Sequence, residues 1–404
     1  MKSRSMRILA GLVILLGSTA GVYAQDERPI RIGVIGDHGV YSALSGMGSV
    51  IGARMAVEDF GGEVLGRKIE VVYADHQSKP DVASTIAREW IDEGIDAFAD
   101  GSSSSAALAV NELARNNNKA FLVTGAGSPD FYGEACTPVT THWVFDTYSL
   151  ANATAQALVE QDMDTWYFIT ADYNYGHSLQ DNMAGFVVKS GGQVVGSVPH
   201  PLNSSDFSSY ILQAQASRAK AIGLANAGTD FITATKQSAE FGIIQGGQRL
   251  VALSAMIPDI KAVGLESAQG LIVTSSFYWD LNPQTREWSE RFMERNGGKA
   301  PTQIHAGTYA AVTHYLKAVE EVGSTDGAEV VAKMKEMPVN DFYNEGVQIR
   351  DDGRVLQNMH VFQVKAPDQS ESEWDLYSPL MEIDGADAYR PLGEGNCPMV
   401  EAAE

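Results

Sequence analysis

Cysteine is nearly absent: the 404 residues hold two, Cys136 and Cys397. Two thiols so far apart cannot make a metal knuckle, and the eight histidines, at 38, 76, 142, 177, 200, 305, 314 and 360, include no pair at the spacing of a helical zinc site. No metal or cofactor is therefore expected. Positive charge is also short, with 29 Lys and Arg against 51 Asp and Glu and a net charge of −22. A chain so acidic is a poor partner for nucleic acid, whose affinity rests on neutralising phosphates, and the acidity marks a solvated surface. Catalytic signatures are missing too. No serine has glycine two places before and two after it, and Gly298-Lys299 runs into Ala300 where a phosphate loop needs Ser or Thr. An enzyme is not expected. Beyond residue 24 no run approaches the about 18 apolar residues that a membrane span needs, and no low-complexity linker interrupts the chain.

What is present begins with a leader. Lys2, Arg4 and Arg7 precede an apolar stretch over 8–16, and Val22-Tyr23-Ala24 has the small-residue character of a cleavage site. Residues 1–24 read as a signal peptide, with no cysteine beside the cut to take a lipid, so the mature chain is expected to be exported and soluble. Disulfides persist in that setting, and Cys136 and Cys397 are expected to pair, two free thiols being the alternative. With 44% hydrophobic and 20% charged residues, a folded chain of this length is expected to form two domains.

Strand and helix patterns alternate along it. Strands are expected over 30–35, 68–74, 97–99 and 120–124, with helices over 45–60, 80–91 and from the serine run to 115 between them. A second series follows: helix 150–161, strand 165–170, helix 177–189, strand 193–198, helix 207–216, strand 221–224, helix 230–241, strand 249–253 and strand 271–275. Such alternation predicts doubly wound α/β lobes with parallel sheets, since each parallel connection needs a crossover. Helices are then expected over 284–296, 303–322 and 328–337, a hairpin between 348–350 and 359–364, and a loose acidic tail from 371.

Ligands of open α/β sheets bind beyond the carboxyl ends of the strands, so loops that follow strands carry the candidates. Asp100-Gly101-Ser102-Ser103-Ser104-Ser105 joins a strand to a helix, and the bare amides of a helix N-terminus edged with hydroxyls suit an anion. The other strand-end loops supply Gly125, Ala126 and Gly127, then Tyr175, Asn226 and Ser254, with the aromatics Tyr41, Trp143 and Tyr278 nearby. Small residues interleaved with aromatics fit a compact ligand with one anionic and one apolar end. Asp75-His76 could be a catalytic pair by proximity, although most such pairs are structural.

The motifs Ile32-Gly33-Val34-Ile35, Gly52-Ala53-Arg54-Met55-Ala56-Val57, Leu65-Gly66-Arg67-Lys68-Ile69, Asp75-His76-Gln77-Ser78-Lys79-Pro80-Asp81, Gly101 to Ser105, Asp172 to Gly176 and Gly270-Leu271-Ile272-Val273 together resemble the periplasmic solute-binding proteins of branched-chain amino-acid-type ABC importers. The resemblance runs over nearly the whole mature chain. It implies the type I periplasmic-binding-protein fold: two α/β lobes joined by three crossings around a ligand cleft, with permease subunits in the inner membrane as partners and the periplasm as location. On that template residues 25–147 and 276–338 form the first lobe, 148–275 and 339–366 the second, and 367–404 a tail, with crossings near Asp146 to Ser149 and Ser275 to Tyr278. The family's carboxylate-holding serine falls on Ser102 and its second-lobe tyrosine on Tyr175. Its threonine falls near Gly127, a further tyrosine near Gly228, and the acid that pairs with the ligand's ammonium near Ser254, so those three are lost. An unpaired ammonium in a closed cleft costs several kcal/mol. The chain therefore resembles more closely the subfamily that takes up aromatic or other small organic acids. An amino-acid ligand, with Asp230 as the acid, a periplasmic sensor and a secreted enzyme are the alternatives.

Overall fold

The computed structural model describes residues 28–39, 46–159 and 162–400; the leader read at 1–24 and Tyr41 lie outside them. Two sheets organise the chain. The first contains β1 (Ile30–Gly36), β2 (Glu63–Val64), β3 (Arg67–Asp75), β4 (Ala97–Asp100), β5 (Ala120–Val123) and β6 (Thr140–His142), in the order β2-β3-β1-β4-β5-β6. Only β2 runs antiparallel to its neighbour. The second contains β7 (Thr165–Ala171), β8 (Gln193–His200), β9 (Ala221–Ala225), β10 (Arg249–Ala252), β11 (Ile272–Ser275), β12 (Met359–Val364) and β13 (Tyr377–Ile383), in the order β13-β12-β11-β10-β9-β7-β8. Its first five strands are parallel and the last two antiparallel. This is the type I periplasmic-binding-protein fold.

Strands β4, β5 and β9 are buried along their whole length, as expected where helices cover both faces of a parallel sheet. One face of the first sheet packs Ile35, Phe98, Phe121 and Val123 against Trp90 and Val110. On the other, the helix Gly48–Phe60 closes on the long helix Gln303–Val322. A Cβ on Gly48 would lie 2.2 Å from the His305 ring, and one on Gly52 would lie 2.6 Å from the His305 carbonyl oxygen. The glycine that opens the Gly52-Ala53-Arg54 block thus permits the helices to touch backbone to backbone.

The order of strands also sets where a ligand can go. In the first sheet the chain moves from β1 outward to β3 and then returns to the other side of β1 as β4; in the second it moves from β7 to β8 and returns as β9. Connections leave in opposite directions at these two points, which opens a crevice beyond Gly36 and Asp100 in one lobe and beyond Ala171 and Ala225 in the other.

Three expectations fail. The stretch 348–350 does not pair with 359–364: Ile349 bridges Val355, while β12 lies between β11 and β13. The segment read as a loose tail supplies that edge strand, disguised by Pro379 and by the register shift opposite Val361 and Phe362 that admits it. The short strand β6 was also missed, because Thr140-Thr141-His142 carries no apolar pattern.

After β13 the chain crosses from the second lobe back to the first. Asn152 donates to the carbonyls of Asp387 and Ala388, the Tyr389 hydroxyl donates to the Val144 carbonyl, Gly395 abuts Gly133, and Cys397 is bonded to Cys136. The disulfide spans 261 residues. Closing so long a loop removes roughly 5 kcal/mol of unfolded-state entropy in the chain-entropy model. A chain with both cysteines changed to serine is accordingly expected to show a lower urea midpoint than the oxidised wild type, and equal midpoints would show that the bond contributes nothing.

Candidate functional site

At the first crevice the backbone is forced into the left-handed region at Asp100 (φ 76°), Gly101 (φ 73°) and Ser103 (φ 71°) before the helix Ser104–Asn116 begins. For non-glycine residues such a conformation costs about 1 kcal/mol or more and concentrates at functional sites. The turn sends Ser102 Oγ back toward the strand, where it donates to Asp100 Oδ1 at 2.7 Å. Among the described residues no side chain caps the helix at Ser103, which leaves its first amides without a cap.

Asp100 is the feature that sequence reasoning missed. Its carboxylate occupies the space between two strand ends: a Cβ on Gly36 would lie 2.5 Å from Oδ2 and one on Gly125 2.2 Å from Oδ1. Ser49, at the start of the helix Gly48–Phe60, is a second hydrogen-bond partner, and the His38 and His76 rings are the nearest bases. Burial raises the acid above the ordinary carboxylate range. His76 is held the other way, toward the neutral imidazole, by its own burial, against the pull of Asp100, Asp37 and Asp75. The Ser78 amide donates to its Nδ1, the Gln77 amide donates to Asp75, and Ser78 Oγ donates to Asp37. Asp75 and His76 therefore hold a turn and do not pair with each other. Among the described residues no group of these side chains is arranged to hold a metal ion.

The loop after β5 joins this cluster to the second lobe. Gly125 touches Ser102 Oγ, and two residues on, a Cβ at Gly127 would lie 2.9 Å from the Tyr175 ring and 3.0 Å from Phe145. The Tyr175 hydroxyl shares a hydrogen bond with Ser254 Oγ at 2.9 Å, and burial keeps that phenol protonated. Asn226, fully buried at the end of β9, meets His200 Nε2 at 3.1 Å through its amide nitrogen, and its Oδ1 has no hydrogen-bond partner among the described residues. Ser102, Gly125, Gly127, Tyr175 and Ser254 thus form a continuous line across the two lobes, with Ser103 and Asn226 at the two switch points. Ala126 is buried beside them, its carbonyl 2.8 Å from His142 Nε2.

Two expected aromatics belong elsewhere. Trp143 is enclosed in the core, its indole donating to Thr141 Oγ1 and its ring set edge-on to His314. Tyr278 packs on Phe362 and Tyr377, its hydroxyl directed to the Trp374 carbonyl. Each follows a strand, but an aromatic there fills the core as readily as a cleft. Asp230 accepts from the amides of Asn203 and Ser204, and Asp259 accepts from that of Met256 while burial pushes its carboxyl up to about 6. Asp172 faces His177. Asp230 and Asp259 are committed to structure, whereas the Asp172 side chain stays at the surface, 63% exposed.

Residues 29–371 match the family model described as periplasmic binding protein, and the chain belongs to that family. A periplasmic binding protein from Burkholderia mallei is 43% identical, with a TM-score of 0.87 over 92% of this chain and 99% of that one. The periplasmic ligand-binding protein of a branched-chain amino-acid ABC transporter from Burkholderia xenovorans is 35% identical, with a TM-score of 0.86 and the same coverage of both chains. At the level of fold, an ABC-transporter solute-binding protein from Rhodopseudomonas palustris, solved with 3,4-dihydroxybenzoic acid, is similar at 19% identity, with a TM-score of 0.80 over 89% of this chain and 98% of that one. Among the described residues no helix is long and apolar enough to cross a membrane.

The contact of Gly127 with Tyr175 gives a direct test of the line. Gly127→Val places two methyl groups where the Tyr175 ring lies, and is expected to keep its thermal midpoint within a few degrees while losing heat of binding to any acid that saturates the wild type. Unchanged affinity in calorimetry would remove Gly127 and Tyr175 from the site.

Proposed function

We propose that this chain is the exported substrate-binding component of an ABC importer, that it captures a small organic carboxylate without an α-amine, and that it does so by closing its two lobes over the ligand. It performs no chemistry; it delivers the ligand to permease subunits in the inner membrane. The observation that carries the ligand class is an asymmetry. The first lobe offers the hydroxyl of Ser102 beside the uncapped amides of a thirteen-residue helix, which suits a carboxylate. The second lobe offers Tyr175, Ser254 and the amide of Asn226, while the buried Asp230 and Asp259 are held by backbone amides and Asp172 lies at the surface beside His177. An α-ammonium reaching toward those loops would find both buried second-lobe acids, Asp230 and Asp259, already engaged by backbone amides among the described residues. An aromatic or aliphatic body would find the Tyr175 ring and the Phe145 edge.

The branched-chain amino-acid transporter of the Burkholderia xenovorans relative and the dihydroxybenzoate held by the Rhodopseudomonas palustris protein bracket the ligands to be compared. A thermal-shift panel of benzoate, p-hydroxybenzoate, pyruvate, leucine and phenylalanine is expected to raise the midpoint with acids that lack the amine and to leave it unmoved with the two amino acids. A charge-assisted hydrogen bond is worth about 1.5–3 kcal/mol, so Ser102→Ala is expected to weaken the best binder roughly ten- to a hundredfold without loss of fold. Stabilisation by leucine or phenylalanine alone would replace the acid reading with an amino-acid one.

A further inference from the structure

A serine hydroxyl has one proton, and here it points at a carboxylate. Ser102 Oγ donates to Asp100 Oδ1 at 2.7 Å, so it cannot at the same time donate to a ligand's carboxylate. Asp100 cannot swing aside either. Its carboxylate fills the space that Gly36 and Gly125 leave by carrying no side chain, it is 2% exposed, and Ser49 binds it from the helix behind. A ligand carboxylate on Ser102 therefore sits one hydroxyl away from a second carboxylate in a site closed to water, and like charges so placed cannot both stay ionised.

Resting on the reading of Ser102 as the holder of a carboxylate, we propose that Asp100 takes up a proton as the acid binds, so that Asp100 Oδ–H donates to Ser102 Oγ and the Ser102 hydroxyl turns to donate to the ligand. The proton comes from solvent, no bond between heavy atoms changes, and the complex gains one proton for each ligand bound. The surroundings favour the neutral acid. Facing Asp100 are His38 from the loop after β1, Ser49 from the helix Gly48–Phe60, His76 from the end of β3, Ser102 itself and Gly125 from the end of β5, while Asp37 and Asp75 act on His76 behind it; among the described residues that act on Asp100 there is no lysine or arginine. Burial already raises its proton affinity, and an arriving anion raises it further. Asp100 is thus a specificity-determining residue: it makes capture of an acid stronger at low pH and would reject the same acid were it locked in its ionised form.

The sign follows directly. A group that gains a proton on binding makes affinity fall as pH rises, by up to tenfold per pH unit between the pKa of the free protein and that of the complex. Isothermal calorimetry of the full exported chain at pH 8, with the tightest of benzoate, p-hydroxybenzoate and pyruvate, in two buffers of different ionisation heat, counts the protons. The wild type is expected to take up close to one per ligand. Asp100→Asn, whose amide can donate to Ser102 permanently, is expected to take up close to none and to bind at pH 8 at least as tightly as at pH 6. His38→Gln and His76→Gln are expected to retain the uptake, which keeps the assignment testable should Asp100→Asn fail to fold. Acid binding with no uptake by the wild type overturns the proposal while leaving the acid reading in place. Equal uptake by wild type and Asp100→Asn, or loss of it in either histidine variant, also overturns it. Absence of binding by all three acids across pH 6–8 overturns the acid reading and this inference with it.

Discussion

The joint between the lobes depends on one buried ion pair. Arg354 and Asp146 are both fully enclosed, 3.5 Å apart. The guanidinium donates to the carbonyls of Trp143, Val144 and Val355 and lies 3.7 Å above the Tyr389 ring, and the carboxylate accepts from the Ser149 amide and the Tyr132 hydroxyl. Two buried charges are expensive to desolvate, and removing one partner of such a pair costs about 3–5 kcal/mol. What the cluster provides in return is position. Val144 belongs to the first passage between the lobes, Val355 to the passage that leads into β12, and Tyr389 to the C-terminal return, so one side chain ties together three segments that run between the lobes. The Cys136–Cys397 bond lies just beyond, where the returning chain meets the first lobe.

With the joint held there, the two switch points face each other and the proposed site is divided between them. The first lobe supplies a polar floor of hydroxyl, helix amides and a buried acid. The second supplies an aromatic ring with a hydroxyl and an amide behind it. Gly127, on the first lobe, is the one position in the line where absence of a side chain lets Tyr175 come down. On the proposed closure, opening the lobes would part Gly127 from Tyr175, and a ligand that touches Ser102 and Tyr175 together would stabilise the closed form by its difference in affinity for the two forms.

Much of this was legible in the sequence because it is repetitive. Strands that read as short apolar runs and helices that begin after Ser, Pro or Asp recur through the chain, and the order of the motifs in the strand-end loops identified the family. Ser102, Tyr175, Asn226 and Ser254 stand out as candidates because they follow strands. What escaped was set by tertiary contact. Asp100 looks like the last residue of an apolar strand, and nothing local says that Gly36 and Gly125, far apart in sequence, leave a pocket for its carboxylate. Arg354 reads as one more surface charge until Tyr132, Tyr389 and Asp146 enclose it. Trp143 and Tyr278 satisfied the rule for site residues and turned inward, and β13 was hidden by a proline that only an edge strand accepts.

The central claim is that ligand capture is a closure about this joint. Small-angle X-ray scattering of the oxidised, full exported chain, free and saturated with the acid that gives the largest thermal shift, tests it most directly. The account predicts a smaller radius of gyration in the saturated protein; an identical radius in both states, with saturation verified by calorimetry, would contradict it.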